Sequence, residues 1–90
     1  PRAMTPADIM ELDALREAVR RAVDELPAAY RKVIALRFGL GLTYRAIARE
    51  LGVGVPAVEA RLHRAKLRLR RSLRPWAAPA AATRTAAASV

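Results

Sequence analysis

From the N-terminus to Leu73 the apolar residues recur at helical spacing, and prolines and glycines cut the pattern into four segments. Leu12, Leu15, Val19, Val23 and Leu26 follow one another at steps of three and four, which predicts one amphipathic helix over about 6–26. Thr5 suits its N-cap, Pro6 its first position, and Asp8 stands where a capping box needs an acid. Pro27 breaks the pattern. A second helix is predicted over about 28–38, with Tyr30, Val33, Ile34 and Phe38 as its packing side and Gly39 and Gly41 closing it.

Thr43 is the next N-cap candidate, opening a short helix over 44–51 with Ile47, Ala48 and Leu51 facing inward. Gly52 falls just past its end, where a left-handed backbone costs glycine least. Gly54 and Pro56 mark the start of a last helix running to about residue 73. At 100° per residue Val55, Val58, Leu62, Ala65, Leu69 and Leu73 share one sector, while Ala57, Ala60, Arg64, Arg68 and Arg71 lie opposite with Arg61 at the edge. Pro75 stops this helix. Trp76 is expected to fold back on the domain as a lid. The predicted organisation is a disordered lead over 1–5, an all-α domain of four helices over 6–74, and a low-complexity tail over 75–90 expected to be disordered.

Composition narrows the possible chemistry. The chain has 90 residues, no Cys and a single His, so disulfides, thiolate zinc sites and multi-histidine metal centres are excluded. One thin core leaves no room for a deep catalytic cavity. No paired carboxylates, glycine-rich phosphate loop or nucleophile–base set is present, so no enzyme activity, cofactor or metal is expected. No apolar run approaches a membrane span and no secretory signal opens the chain. His63 is expected to be a partly buried or phosphate-near ring. The start at Pro1 suggests the C-terminal part of a longer chain.

The net charge of +9 is unevenly placed. Residues 1–25 hold six acids against four arginines, whereas 60–74 hold seven bases and no acid. Such a run repels itself unless an anion meets it, and arginine forks suit phosphate oxygens and guanine edges. A short helix, a glycine turn and a longer basic helix make a helix-turn-helix. Ala48 is small where the two helices cross, Gly52 permits the turn, and Val58, backed by Leu62, points from the second helix onto the first. Its recognition helix is expected to enter a DNA major groove N-terminus first, with Arg61, Arg64, Arg68 and Arg71 along the walls.

The stretches Leu26-Pro-Ala-Ala-Tyr-Arg-Lys-Val-Ile-Ala-Leu-Arg-Phe, Leu42-Thr-Tyr-Arg-Ala-Ile-Ala-Arg-Glu-Leu-Gly-Val and Val58-Glu-Ala-Arg-Leu-His-Arg-Ala-Lys-Leu-Arg-Leu together resemble region 4 of sigma-70 family factors, in the extracytoplasmic-function subgroup. The resemblance covers about residues 12–74. It implies a cytoplasmic, nucleoid-associated transcription initiation domain that binds the promoter −35 element, contacts the β flap of RNA polymerase and is a target for an anti-sigma factor. By position it assigns Arg61 and Arg64 to the basic recognition-helix residues, Glu59 and Ala60 to base-reading positions, and Tyr44 and Arg45 to phosphate contacts. A response-regulator output domain fits less well, because its helix is shorter and less basic.

The chain departs from the family pattern at several of these places. Glu59 stands where many members have Lys or Arg, and Ala60 where they have Ser. Glutamate accepts a hydrogen bond from a cytosine amine and alanine meets a thymine methyl, which points to an altered −35 preference. Equally open is a Glu59 that turns sideways to pair with His63 one turn on. Arg45 and Ala46 replace the usual acids, leaving Thr43 without a capping-box partner. The alternative function is a protein-interaction module of the same fold, binding polymerase or an anti-sigma factor with weakened base reading.

Overall fold

The computed structural model describes residues 3–76; the expected disorder of residues 1–2 and 77–90 lies outside the described residues. Four α-helices and one π-turn follow in order: α1 (Pro6–Asp24), α2 (Ala28–Ile34), the π-turn (Ala35–Gly39), α3 (Tyr44–Leu51) and α4 (Val55–Ser72). No strand occurs among the described residues, so the domain is all-α, as the periodicity predicts.

Local signals set the helix starts. The Thr5 hydroxyl accepts the Asp8 N–H at 3.2 Å while the Asp8 carboxylate accepts the Thr5 N–H at 2.9 Å, completing the expected capping box. Pro6 occupies the first turn, where its missing N–H costs nothing. The helix ends at Asp24, two residues short of expectation. Leu26 sits in the following turn and is buried there. Arg31 from α2 donates to the Asp24 carbonyl at 3.0 Å, satisfying one of the acceptors that a helix end leaves free.

The core is one cluster of Leu26, Val33, Ile34, Ile47, Ala48, Val58, Leu62 and Ala65, contributed by α2, α3 and α4 and the turn before α2. Only the end of α1 packs against it, through the partly buried Val23, while Ala22 is buried outside this cluster. The predicted α1 stripe is therefore covered unevenly, with Leu12 half-buried and its middle open. Leu15 and Val19 are exposed, as is Ile9 nearer the start of the helix. On its other faces α1 carries the ion pairs Arg20–Glu17 at 2.6 Å, Arg21–Glu17 at 3.4 Å and Arg16–Asp13 at 3.8 Å. The hydrogen bond from Arg20 holds the Glu17 carboxyl below its ordinary value.

The second predicted helix is corrected by the π-turn. The Leu40 N–H reaches the Ala35 carbonyl at 3.1 Å, five residues back, so one extra residue enters the coil. That extra residue rotates the following positions, and Phe38, expected in the core, is 62% exposed while Leu36 packs inward. Gly41, at φ +68°, then reverses the chain, and the Leu42 N–H bonds the Leu36 carbonyl at 3.0 Å.

Two expectations at the end of the domain also change. α4 stops at Ser72 and one further helical turn covers 74–76, so Pro75 does not mark a sharp stop. A proline tolerates the first turn of a new helical segment, because its missing N–H would have no partner there. Trp76 remains 41% exposed and is no closed lid.

Candidate nucleic-acid interface

The interface is built on α3, its turn and α4. The Thr43 hydroxyl accepts the Ala46 N–H at 3.1 Å and starts α3, without the reciprocal partner that an acid at position 46 would supply. At the other end Gly52 adopts φ +67°, its N–H meeting the Ala48 and Arg49 carbonyls, and the Val53 N–H returns to the Ala48 carbonyl at 3.0 Å. This is the Schellman arrangement that reverses a chain in two residues. Gly54 then precedes α4 with Pro56 in the first turn.

Side-chain packing fixes the angle between the helices. Ile47 and Ala48 of α3 and Val58 and Leu62 of α4 are all buried in one cluster, as their spacing predicts. Burying four such side chains stabilises the crossing by several kcal/mol at about 25 cal/mol per Å². The turn before α3 has a further lock. Arg37, half-buried, donates Nη1–H to the Leu42 carbonyl at 2.9 Å and places its guanidinium carbon 5.0 Å from the centre of the Tyr44 ring.

Along α4 the bases divide into two flanks. Arg61, Arg64, Arg68 and Arg71 follow at steps of three and four on one side, and His63, Lys66 and Arg70 do so on the other, together with Glu59. The first flank borders the start of α2: Arg68 sits 5.3 Å above the Tyr30 ring. The second borders the π-turn, where Lys66 Nζ lies 5.6 Å from the centre of Phe38. No base of α4 is ion-paired among the described residues. No carboxylate among the described residues is paired with these bases, which leaves them open to an external anion.

The sequence-derived residues fall as follows. Ala48, Val58 and Leu62 are buried and Gly52 makes the turn. Tyr44 is half-buried under Arg37, and Arg45 is exposed at the start of α3. Ala57, Ala60 and Arg61 are half-buried, whereas Glu59, Arg64, Arg68 and Arg71 are exposed. His63 is exposed rather than partly buried, because its position looks away from the core sector of α4. Glu59 and His63 form neither an ion pair nor a hydrogen bond, so the sideways pairing is absent. The contacts of Arg68 with Tyr30 and of Arg37 with Tyr44 are not legible in the sequence. They join residues across elements, and no local spacing signals them.

No cluster among the described residues could hold a metal ion, and no described helix is long and apolar enough to cross a membrane. No curated protein matches the sequence. The family described as "Sigma-70, region 4" matches residues 16–69, more than half of the chain, including all of α2 and α3 and all but the last three residues of α4. The chain belongs to the sigma-70 region 4 family, whose members are DNA-binding, polymerase-contacting helix-turn-helix domains of transcription factors and not enzymes.

Proposed function

We propose that this domain recognises the promoter −35 element for an extracytoplasmic-function sigma factor in the bacterial cytoplasm. The first half of α4 enters the major groove, whose width accepts a helix, and the arginines of α4 meet the flanking phosphates. The observation that carries this reading is the set of unpaired bases along α4, presented by a helix-turn-helix whose crossing is fixed in the core. Arg45, exposed at the start of α3, and the edge of Tyr44 take further backbone contacts.

Glu59 and Ala60 are the base readers in this account. An exposed carboxylate with no partner among the described residues is free to accept from a cytosine amine. Ala60 offers a methyl to thymine. The domain division, with a working unit over 6–74, belongs to the same proposal.

Contact with the β flap of RNA polymerase, and capture by an anti-sigma factor, draw support from apolar side chains exposed at the π-turn and on α1. Phe38 and Leu40, at 62% and 71% exposure, sit beside one another at the π-turn, and Ile9, Leu15 and Val19 line α1. Exposed apolar groups in contiguous patches mark protein-docking surfaces.

Selection from a randomised duplex pool tests the reading. Enrichment of one short motif of −35 type, bound by the domain alone, supports it. A pool that stays random after repeated rounds contradicts base recognition and leaves polymerase or anti-sigma binding as the function.

A further inference from the structure

Between the start of α2 and the second half of α4 lies a cleft of about 200 Å³ lined by Tyr30, Arg64, Leu67, Arg68 and Arg71. Three arginines line it, and no carboxylate among the described residues pairs with any of them. The Tyr30 hydroxyl makes no hydrogen bond to another described residue, although its ring is half-buried. Arg68 lies over that ring at 5.3 Å. A guanidinium held by its face keeps the N–H donors of its edge directed elsewhere, and losing little rotamer freedom it binds an oxyanion at low entropic cost.

We propose that this cleft seats one phosphate of the DNA backbone, and that Tyr30 is therefore part of the DNA interface. The inference rests on the promoter-binding reading and adds a contact from α2, outside the helix-turn-helix. Arg64 and Arg71 flank the seat one turn to either side of Arg68, a rise of about 5 Å per turn along α4. They supply charge from both sides, Arg68 supplies an oriented fork, and the Tyr30 hydroxyl donates to a remaining phosphate oxygen. Leu67 adds an apolar side to the lining. The ligand chemistry is a singly charged phosphodiester oxyanion, and its source is the duplex flanking the motif read by the first half of α4.

The test uses the domain with its selected duplex and a series of duplexes in which one phosphate at a time is a neutral methylphosphonate. Tyr30→Phe removes a single hydroxyl and Arg68→Lys keeps charge but loses the planar fork, and both keep the fold, as circular dichroism checks. Each variant is expected to bind the natural duplex several-fold more weakly. At one methylphosphonate position, the same for both variants, that penalty is expected to vanish. Penalties that persist at every position overturn the seat while leaving promoter recognition intact. Variants that bind like the parent also overturn it. A parent domain that shows no motif preference in any duplex removes the reading on which the seat rests. Inorganic pyrophosphate serves as the competing free anion: displacement of DNA by it at micromolar concentration would reassign the cleft to a small phosphorylated ligand.

Discussion

Arg37 holds Tyr44 from the preceding turn, its guanidinium carbon 5.0 Å from the ring centre while its Nη1–H bonds the Leu42 carbonyl at 2.9 Å. The π-turn and the left-handed Gly41 fold the chain back, so that one side chain spans the loop it helps to shape. Thr43 and Tyr44, which begin the first motif helix, are thereby fixed from behind. The N-terminal end of α3 inherits its orientation from a residue outside the helix-turn-helix.

Arg37→Ala is accordingly expected to cost about 2 kcal/mol, combining a charged hydrogen bond and a cation–π contact. Thermal unfolding followed by circular dichroism should show a fall of roughly 8–16 °C. Arg37→Lys should recover only part of it, since an ammonium has no planar face to lay on the ring. Equal melting of the parent and the alanine variant would mean that the turn does not need the clamp.

Gly52→Ala should destabilise by about 1–2 kcal/mol, the cost of a left-handed backbone for a residue with a Cβ. The added methyl would meet open space, with nothing within 4 Å, so strain in the backbone is the whole effect. Gly52→Asn, whose side chain tolerates that region better, is expected to fall between the two. Chemical denaturation of the three proteins checks the order.

Val58 is fully buried at the contact of α3 and α4. Val58→Ala removes two methyl groups and should cost about 2 kcal/mol. Val58→Asp places an unpaired carboxylate there and should abolish the folded state at neutral pH. A folded aspartate variant, seen by dispersed amide resonances, would show that the motif does not close over this position.

Glu59 separates specificity from stability. Glu59→Lys is expected to change the base preferred at one position of the selected motif, while stability changes by no more than about 0.5 kcal/mol, as for an exposed residue without partners among the described residues. An unchanged motif would remove Glu59 from the base readers.

Much of this architecture is legible in the sequence because it depends on neighbours along the chain. Thr5 with Asp8, Thr43, Gly52 and Pro56 each act within one helical turn, and each does what its type and position imply. The core side of α4 follows from one unbroken period. Phe38 was not legible, because a period of 3.6 fails once the π-turn adds a residue, and nothing local announces that addition. The exposure of Leu15 and Val19 escaped for a different reason. Periodicity says which side of α1 is apolar, whereas how much of that side meets another helix is decided by where α2 turns away. The pairing of Arg68 with Tyr30 belongs to the same class, joining residues from two helices that only the tertiary fold brings together.

The most direct test of promoter recognition is the equilibrium affinity of the domain for its selected duplex and for a scrambled duplex of equal composition, each across a range of salt. If five or six bases meet phosphates, log K should fall against log salt with a slope near −5, at about 0.9 per contact. The selected duplex should bind at least tenfold more tightly throughout. Equal and weak binding to the two duplexes, with a shallow slope, would contradict the account.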